Sequence, residues 1–125
     1  MVYQLADNIT SPLGMTSAQN YQAVKAGQTA LAPYANLWEI PEPFTAALFS
    51  EAQWQAMARQ GMTRFESLVM QSVTQALEGT NFEVSSPRVV FILSTTKANI
   101  ELLGDPETTP EQLHPGESAR RISKA

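Results

Sequence analysis

The chain has no cysteine, and that absence excludes disulfides, thiolate metal sites and a cysteine nucleophile within these 125 residues. It permits a reducing, cytoplasmic setting. Histidine is almost as scarce, since His114 is the single one, so any triad or imidazole metal site would have to be built around it. Basic residues are few: 8 Lys and Arg against 12 Asp and Glu give a net charge of −4. Only Arg120, Arg121 and Lys124 cluster, so no surface for nucleic acid is expected. No apolar run approaches the ~18 residues of a membrane span, and Met1-Val2-Tyr3-Gln4-Leu5 carries no basic region leading into an apolar stretch. A soluble, cytoplasmic protein without a membrane partner is the expectation.

What is present suffices for one domain over residues 1–125, because 43% of the residues are hydrophobic. Val2 to Ala6 reads as a short strand, and Ser11-Pro12-Leu13-Gly14 as the turn after it. Thr16 and Gln19 predict a helix cap, Ala18, Tyr21 and Val24 its apolar stripe, and Gly27 its end. Leu31 to Pro43 is rich in proline and reads as a connector, with Leu37, Trp38 and Ile40 folding back onto the core. Phe44 to Leu48 reads as a strand, after which Ser50 and Gln53 cap a short helix carrying Trp54 and Met57.

The clearest helix runs from Arg64 to Glu78. Thr63 and Glu66 form its capping box, Gly79 its stop, and Phe65, Leu68, Val69, Val73, Ala76 and Leu77 its inner face. Arg88 to Leu93 shows no polar alternation, the pattern of a central strand covered on both faces. Residues 104–117 read as an exposed loop with one helix start at Thr109-Pro110-Glu111-Gln112. A last helix is expected from Ser118, with Ala119, Ile122 and Ala125 on one side, and the chain is expected to stop inside it. The order of elements is that of an α/β fold, a parallel or mixed sheet with helical layers.

Candidate chemistry is thin. "FILSTTKANIELL" contains Ser94-x-x-Lys97, the spacing of serine acyl-enzymes, but periodicity places Ser94 on the strand and leaves Thr95 or Thr96 to cap the next helix. Neither S-D-N nor K-T-G accompanies it. His114 lies near Asp105, Glu107 and Glu111 without metal-ligand spacing and reads as a solvated loop residue. Glu51, Glu66 and Glu78 form no acid-base pair, and the Gly14 turn matches no phosphate loop. No catalytic, metal or cofactor-binding residue is assigned.

From Asn8 to Leu31, "NITSPLGMTSAQNYQAVKAGQTAL" resembles the opening of the β-ketoacyl-[acyl-carrier-protein] synthases, condensing enzymes of the thiolase-like fold. Ser11-Pro12-Leu13-Gly14 and Ala26-Gly27 carry the likeness, with Thr29-Ala30-Leu31 where Ser-Gly-Ile is more usual. It continues through "TRFESLVMQSVTQAL" and "RVVFILSTT", after which the family's glycine-rich segment is replaced by Thr95-Thr96-Lys97-Ala98-Asn99. The resemblance implies the amino-terminal part of a thiolase-like fold. It implies an acyltransferase of fatty-acid or polyketide synthesis when full length, with acyl carrier protein as partner and a homodimer as assembly.

The family's nucleophile is a cysteine on a strand-to-helix turn, assisted by two later histidines, and this chain contains none of the three. The chain itself is therefore expected to be inactive. Two other readings remain: a non-catalytic α/β interaction module presenting Leu37, Trp38 and Trp54, and a small serine hydrolase using Ser94 and Lys97. An incomplete core would leave an exposed sheet edge or apolar face, which dimerisation could cover.

Overall fold

A computed structural model describes Met1–Ala125. Five helices and one two-stranded antiparallel sheet make up a small α/β fold. Helix α1 spans Ser17–Lys25, β1 Leu31–Tyr34, β2 Phe44–Ala47, α2 Glu51–Met57, α3 Arg64–Leu77, α4 Pro110–Leu113 and α5 Pro115–Ile122.

The caps stand where the sequence places them. Thr16 Oγ1 accepts the Gln19 amide at 3.2 Å, and Ser50 and Gln53 exchange bonds of 3.2 and 2.8 Å. Thr63 and Glu66 form a full capping box at the head of α3, satisfying amide donors that no helical carbonyl reaches. Gly79 follows α3 at φ +75°, a conformation that costs an L side chain energy and glycine almost nothing. Gly14 is required for a different reason. A Cβ there would lie 2.5 Å from Gln19 Cβ, where the Ser11–Gly14 turn folds against α1.

Other expectations fail, each for a physical reason. The sheet is neither parallel nor mixed: Leu31 pairs with Ala47 and Tyr34 with Phe44 in one antiparallel ladder, so the expected connector contains a strand. Pro33 is tolerated because in a two-stranded sheet every strand is an edge. Trp38 does not enter the core; it is exposed, at φ +55°, and stacks on Phe44 at 6.0 Å. On α1 the predicted stripe faces solvent, with Tyr21 and Val24 exposed, and Asn20 and Ala23 are buried instead. The Asn20 amide is the cause: the two hydrogens of its Nδ2 are shared among the carbonyls of Ile9, Gly14 and Thr16, all at 2.9 Å, and so turn that face inward.

Neither Val2–Ala6 nor Arg88–Leu93 is a strand, because neither has a partner. Val2, Tyr3 and Leu5 are exposed. The last helix begins at Pro115 rather than Ser118, with Pro115 in its first turn and His114 as its cap, so the expected loop over 104–117 holds α4 and the head of α5. Ala125, expected on the inner side, is exposed.

The interior is small and largely polar. Only 9 of 125 residues are buried, and the apolar ones among them are Ala23, Met57, Ala98 and Ile122. Glu66, Asn99 and Ser118 are the largest fully buried side chains. The accessible surface is 9329 Å² for a mass of 13.7 kDa. A compact monomer of that mass exposes roughly 6,600 Å², so about 2,700 Å² is in excess.

Candidate functional site: a buried polar clasp beside an uncovered strand

Two neighbouring features stand out, and α3 supports both. The first begins with Glu66, whose second role the capping pattern does not announce. Oε2 accepts the Thr63 amide at 3.2 Å and lies 3.3 Å from Arg121 Nε on α5. Oε1 accepts the Ser118 hydroxyl at 3.0 Å. Ser118 Oγ in turn accepts from Asn99 Nδ2 at 3.0 Å, and the same amide donates to the Gln112 carbonyl at 2.7 Å. Thr63 Oγ1 closes the circuit by donating to Asn99 Oδ1 at 2.6 Å, while Arg121 also donates to the Gly61 carbonyl.

This circuit ties the head of α3, the loop after residue 96 and the two last helices into one clasp. Every buried side-chain polar atom has a partner, which is the condition under which a buried polar network stabilises rather than costs. A carboxylate at 1% exposure is tolerable only because the Arg121 guanidinium, the Thr63 amide and the Ser118 hydroxyl surround it. Ser118 has no exposure at all, so its hydroxyl reaches no substrate. The clasp is architecture, not a reaction centre.

The second feature is the segment Val89 to Thr95. Burial alternates along it: Val89, Phe91, Leu93 and Thr95 are half-buried, while Val90, Ile92 and Ser94 are exposed. That is the period of a β-strand lying with one face inward. Val90 and Ile92 are 78% and 83% exposed, so the outer face is apolar and bare. From Val90 to Ser94 no backbone group is paired with another backbone group, so both edges are free. The expectation of a strand covered on both faces is thus corrected to an extended segment covered on one. Phe91, Ile92, Leu93 and Ser94 border an open groove of about 350 Å³ against Leu68, Val69, Ser72 and Val73 of α3, with Thr10 at its rim.

Asn8 fastens the amino-terminal region beside this groove. Its Nδ2 reaches Thr10 Oγ1, the Met15 carbonyl and Ser72 Oγ at 3.0, 3.0 and 3.1 Å, and Oδ1 accepts the Ser17 amide at 3.3 Å.

The candidate reactive residues are not brought together. Ser94 ends the extended segment, and Thr95 Oγ1 instead accepts the amides of Lys97 and Ala98 at 3.3 and 3.0 Å. The next helical element is a single 3-10 turn, Ile100–Leu102, six residues on, so Ser94 is not at the amino terminus of a helix and no hydrogen bond links it to Lys97. The hydrolase reading loses its geometry. His114 is exposed, as expected, but its ring also has a structural role, because Nδ1 accepts the Gly116 amide at 3.1 Å and caps α5. No group of histidine and acidic side chains is arranged to hold a metal.

On α5, Glu117 bonds Arg120. That hydrogen bond, aided by the charges of Arg120, Arg121 and Lys124, holds the Glu117 carboxyl below the usual glutamate range. No helix is long and apolar enough to cross a membrane.

Sequence reasoning missed the roles of Asn99 and Ser118, because Asn99 is an isolated polar residue in a segment without periodicity and Ser118 reads as the solvent-facing opening of the last helix. One signal was available: a capping box uses only one oxygen of Glu66, and a carboxylate oxygen turned inward needs a donor. No protein-family model matches the chain, and no curated protein or solved structure matches it.

Proposed function

We propose that this chain supplies the amino-terminal α/β portion of a thiolase-like β-ketoacyl-[acyl-carrier-protein] synthase and is inactive by itself. The observation that carries the reading is the segment Val89–Leu93, apolar on both faces, with one face half-buried beside α3 and the other bare. A segment so built is suited to the middle of a larger sheet, where its second face would meet another helical layer. The resemblance in Ser11–Gly14, Ala26-Gly27 and Thr63–Leu77 supports the same assignment.

In such an enzyme a cysteine thiolate attacks the acyl thioester, releasing the carrier thiol. Decarboxylation of the malonyl donor then yields the carbanion that attacks the acyl-cysteine, giving a β-ketoacyl product and freeing the thiolate. Two histidines assist by hydrogen bonding to the developing charge. None of these groups is in this chain, and His114, occupied in capping α5, is not a substitute.

The test is the mass of the native polypeptide in the producing cells, followed by assay of the purified material with acyl- and malonyl-carrier protein. A species several-fold heavier than 13.7 kDa, containing a cysteine whose replacement by alanine abolishes condensation, supports the proposal. A native species of 13.7 kDa with no condensing partner contradicts it. That second outcome favours a non-catalytic interaction module, for which the bare Val90 and Ile92 face is the specific observation.

A further inference from the structure

We infer that the β1–β2 hairpin carries a binding site for an arginine side chain of another polypeptide, built from the exposed indole of Trp38 and the carboxylates of Glu39 and Glu42. The inference stands apart from the condensing-enzyme reading, because the site contains none of the residues on which that reading rests. Tyr34 and Phe44 are partners in the ladder, and their rings stack at 5.7 Å with planes 28° apart. Trp38 continues the column on Phe44 at 6.0 Å and 20°. Phe44 therefore takes one side of the indole, while 64% of Trp38 remains accessible. Asn36, Trp38 and Glu39 all have φ between +54° and +60°. L side chains adopt that backbone conformation at a cost, and only where their surroundings hold them in it. Here the ring stack fixes Trp38 on the hairpin, outside the core.

The chemistry of the occupant follows from charge and from a comparison within the molecule. No basic residue lies between Lys25 and Arg59, whereas Glu39 and Glu42 follow Trp38 closely, and both are exposed. Neither carboxylate is in an ion pair. Such a surface attracts cations and repels ligands that carry phosphate. The other tryptophan shows which cation suits it. Over the Trp54 ring lies the Arg64 guanidinium, 5.4 Å from the centroid, and the same guanidinium reaches Glu51 at 3.3 Å. Exposed Tyr21 likewise has Lys25 Nζ over its ring at 5.8 Å. Trp38 has the same ingredients as Trp54, an open indole face and neighbouring carboxylates, but no cation from its own chain. Lys25 is engaged with Tyr21, and Arg59 donates to Thr74 Oγ1 at 3.1 Å, so the missing cation must come from outside. A guanidinium fits better than an ammonium: it is planar and weakly hydrated, stacks flat on an aromatic face, and offers several N–H donors to carboxylates. The occupant is thus an arginine-bearing segment of a partner protein.

The probe is the blocked peptide acetyl-Gly-Arg-Gly-Arg-Gly-amide, titrated at low salt into isotope-labelled protein while the indole N–H signals are followed by nuclear magnetic resonance. Trp38 and Trp54 are the only tryptophans, and Trp38→Phe assigns the two signals. The Trp38 signal should shift to saturation while that of Trp54 stays in place. Trp38→Ala, read through the amides of Tyr34 and Phe44, should weaken binding about two- to fivefold, the size of an exposed cation–π contact. Glu39→Gln combined with Glu42→Gln should weaken it about two- to tenfold. These side chains are exposed, so an unchanged far-ultraviolet signal is expected for every variant. The lysine counterpart of the peptide should bind less well, and added salt should weaken both. No saturable shift at Trp38, equal affinity for the lysine peptide, or binding unaffected by both Trp38→Ala and the paired glutamine variant would overturn the inference. So would preference of the Trp38 signal for a neutral proline-rich peptide or oligosaccharide, or a shift driven by protein concentration alone, which would make the occupant a second copy.

Discussion

The clasp and the extended segment lie against the same helix and have opposite chemistry. Around Glu66 the most buried side chains are polar, and every donor and acceptor among them is partnered. Along Val89–Leu93 every side chain is apolar, yet Val90 and Ile92 are exposed and the backbone from Val90 onward is unpaired. The difference teaches that closure here depends on complementarity, not on hydrophobicity. Polar groups from α3, the 96–99 loop and α5 complete one another within the chain, whereas an isolated strand, however apolar, cannot supply its own ladder.

The sharpest way to break the contrast is to remove its centre. Glu66→Ala removes the acceptor of the Ser118 hydroxyl and of Arg121 Nε, leaving Arg121 only the Gly61 carbonyl, and abolishes half of the α3 capping box, and should cost about 3–5 kcal/mol in urea unfolding. A loss under about 1 kcal/mol would show that the clasp is dispensable. Next in size, Ser118→Ala strands Glu66 Oε1 and one of the two Asn99 Nδ2 hydrogens and should cost about 1–3 kcal/mol. Combined with Asn99→Ala, its effect should be less than additive, since the two residues share a bond; additivity would place them in separate networks.

On the strand the two faces should respond differently. Phe91→Ala, on the half-buried side, should lower monomer stability by about 2 kcal/mol, less than the ~3–5 of a fully buried phenylalanine. Ile92→Ser, measured at a concentration where the chain is monomeric, should change it by no more than about 0.5 kcal/mol. Equal effects would mean that the outer face is covered.

The smallest expected effect is electrostatic. The Glu117 carboxyl is depressed by its bond to Arg120, so its contribution is present above the ordinary glutamate value of 4.5 and disappears as pH falls through the lower folded value. Glu117→Gln should therefore unfold slightly earlier than wild type at neutral pH and converge with it in acid. Because this pair is exposed, the difference should also shrink in high salt.

The contrast also explains what could be read from the sequence. Local rules worked where the deciding atoms are close in the chain: Thr16, Ser50 and Thr63 cap helices, and Gly27 and Gly79 take positive φ where helices end. Periodicity named the apolar character of Val89–Leu93 correctly but implied neighbours that the fold does not provide. On α1 the apolar positions Tyr21 and Val24 pointed away from the face that Asn20 buries, because three carbonyls of the preceding segment outweighed the stripe. Glu66, Asn99 and Ser118 meet across up to 52 residues of chain, and no spacing rule connects them. The β1–β2 pairing was hidden by Pro33, which penalises a central strand but not an edge.

Native-state hydrogen exchange, read residue by residue over a series of protein concentrations, tests the account most directly. In dilute solution the amides of α3 should exchange slowest, those of α5 next, and those from Val90 to Ser94 close to the rate of an unstructured chain. Strong protection from Val90 to Ser94 that is independent of concentration would show the strand already paired within the chain, and would contradict the account.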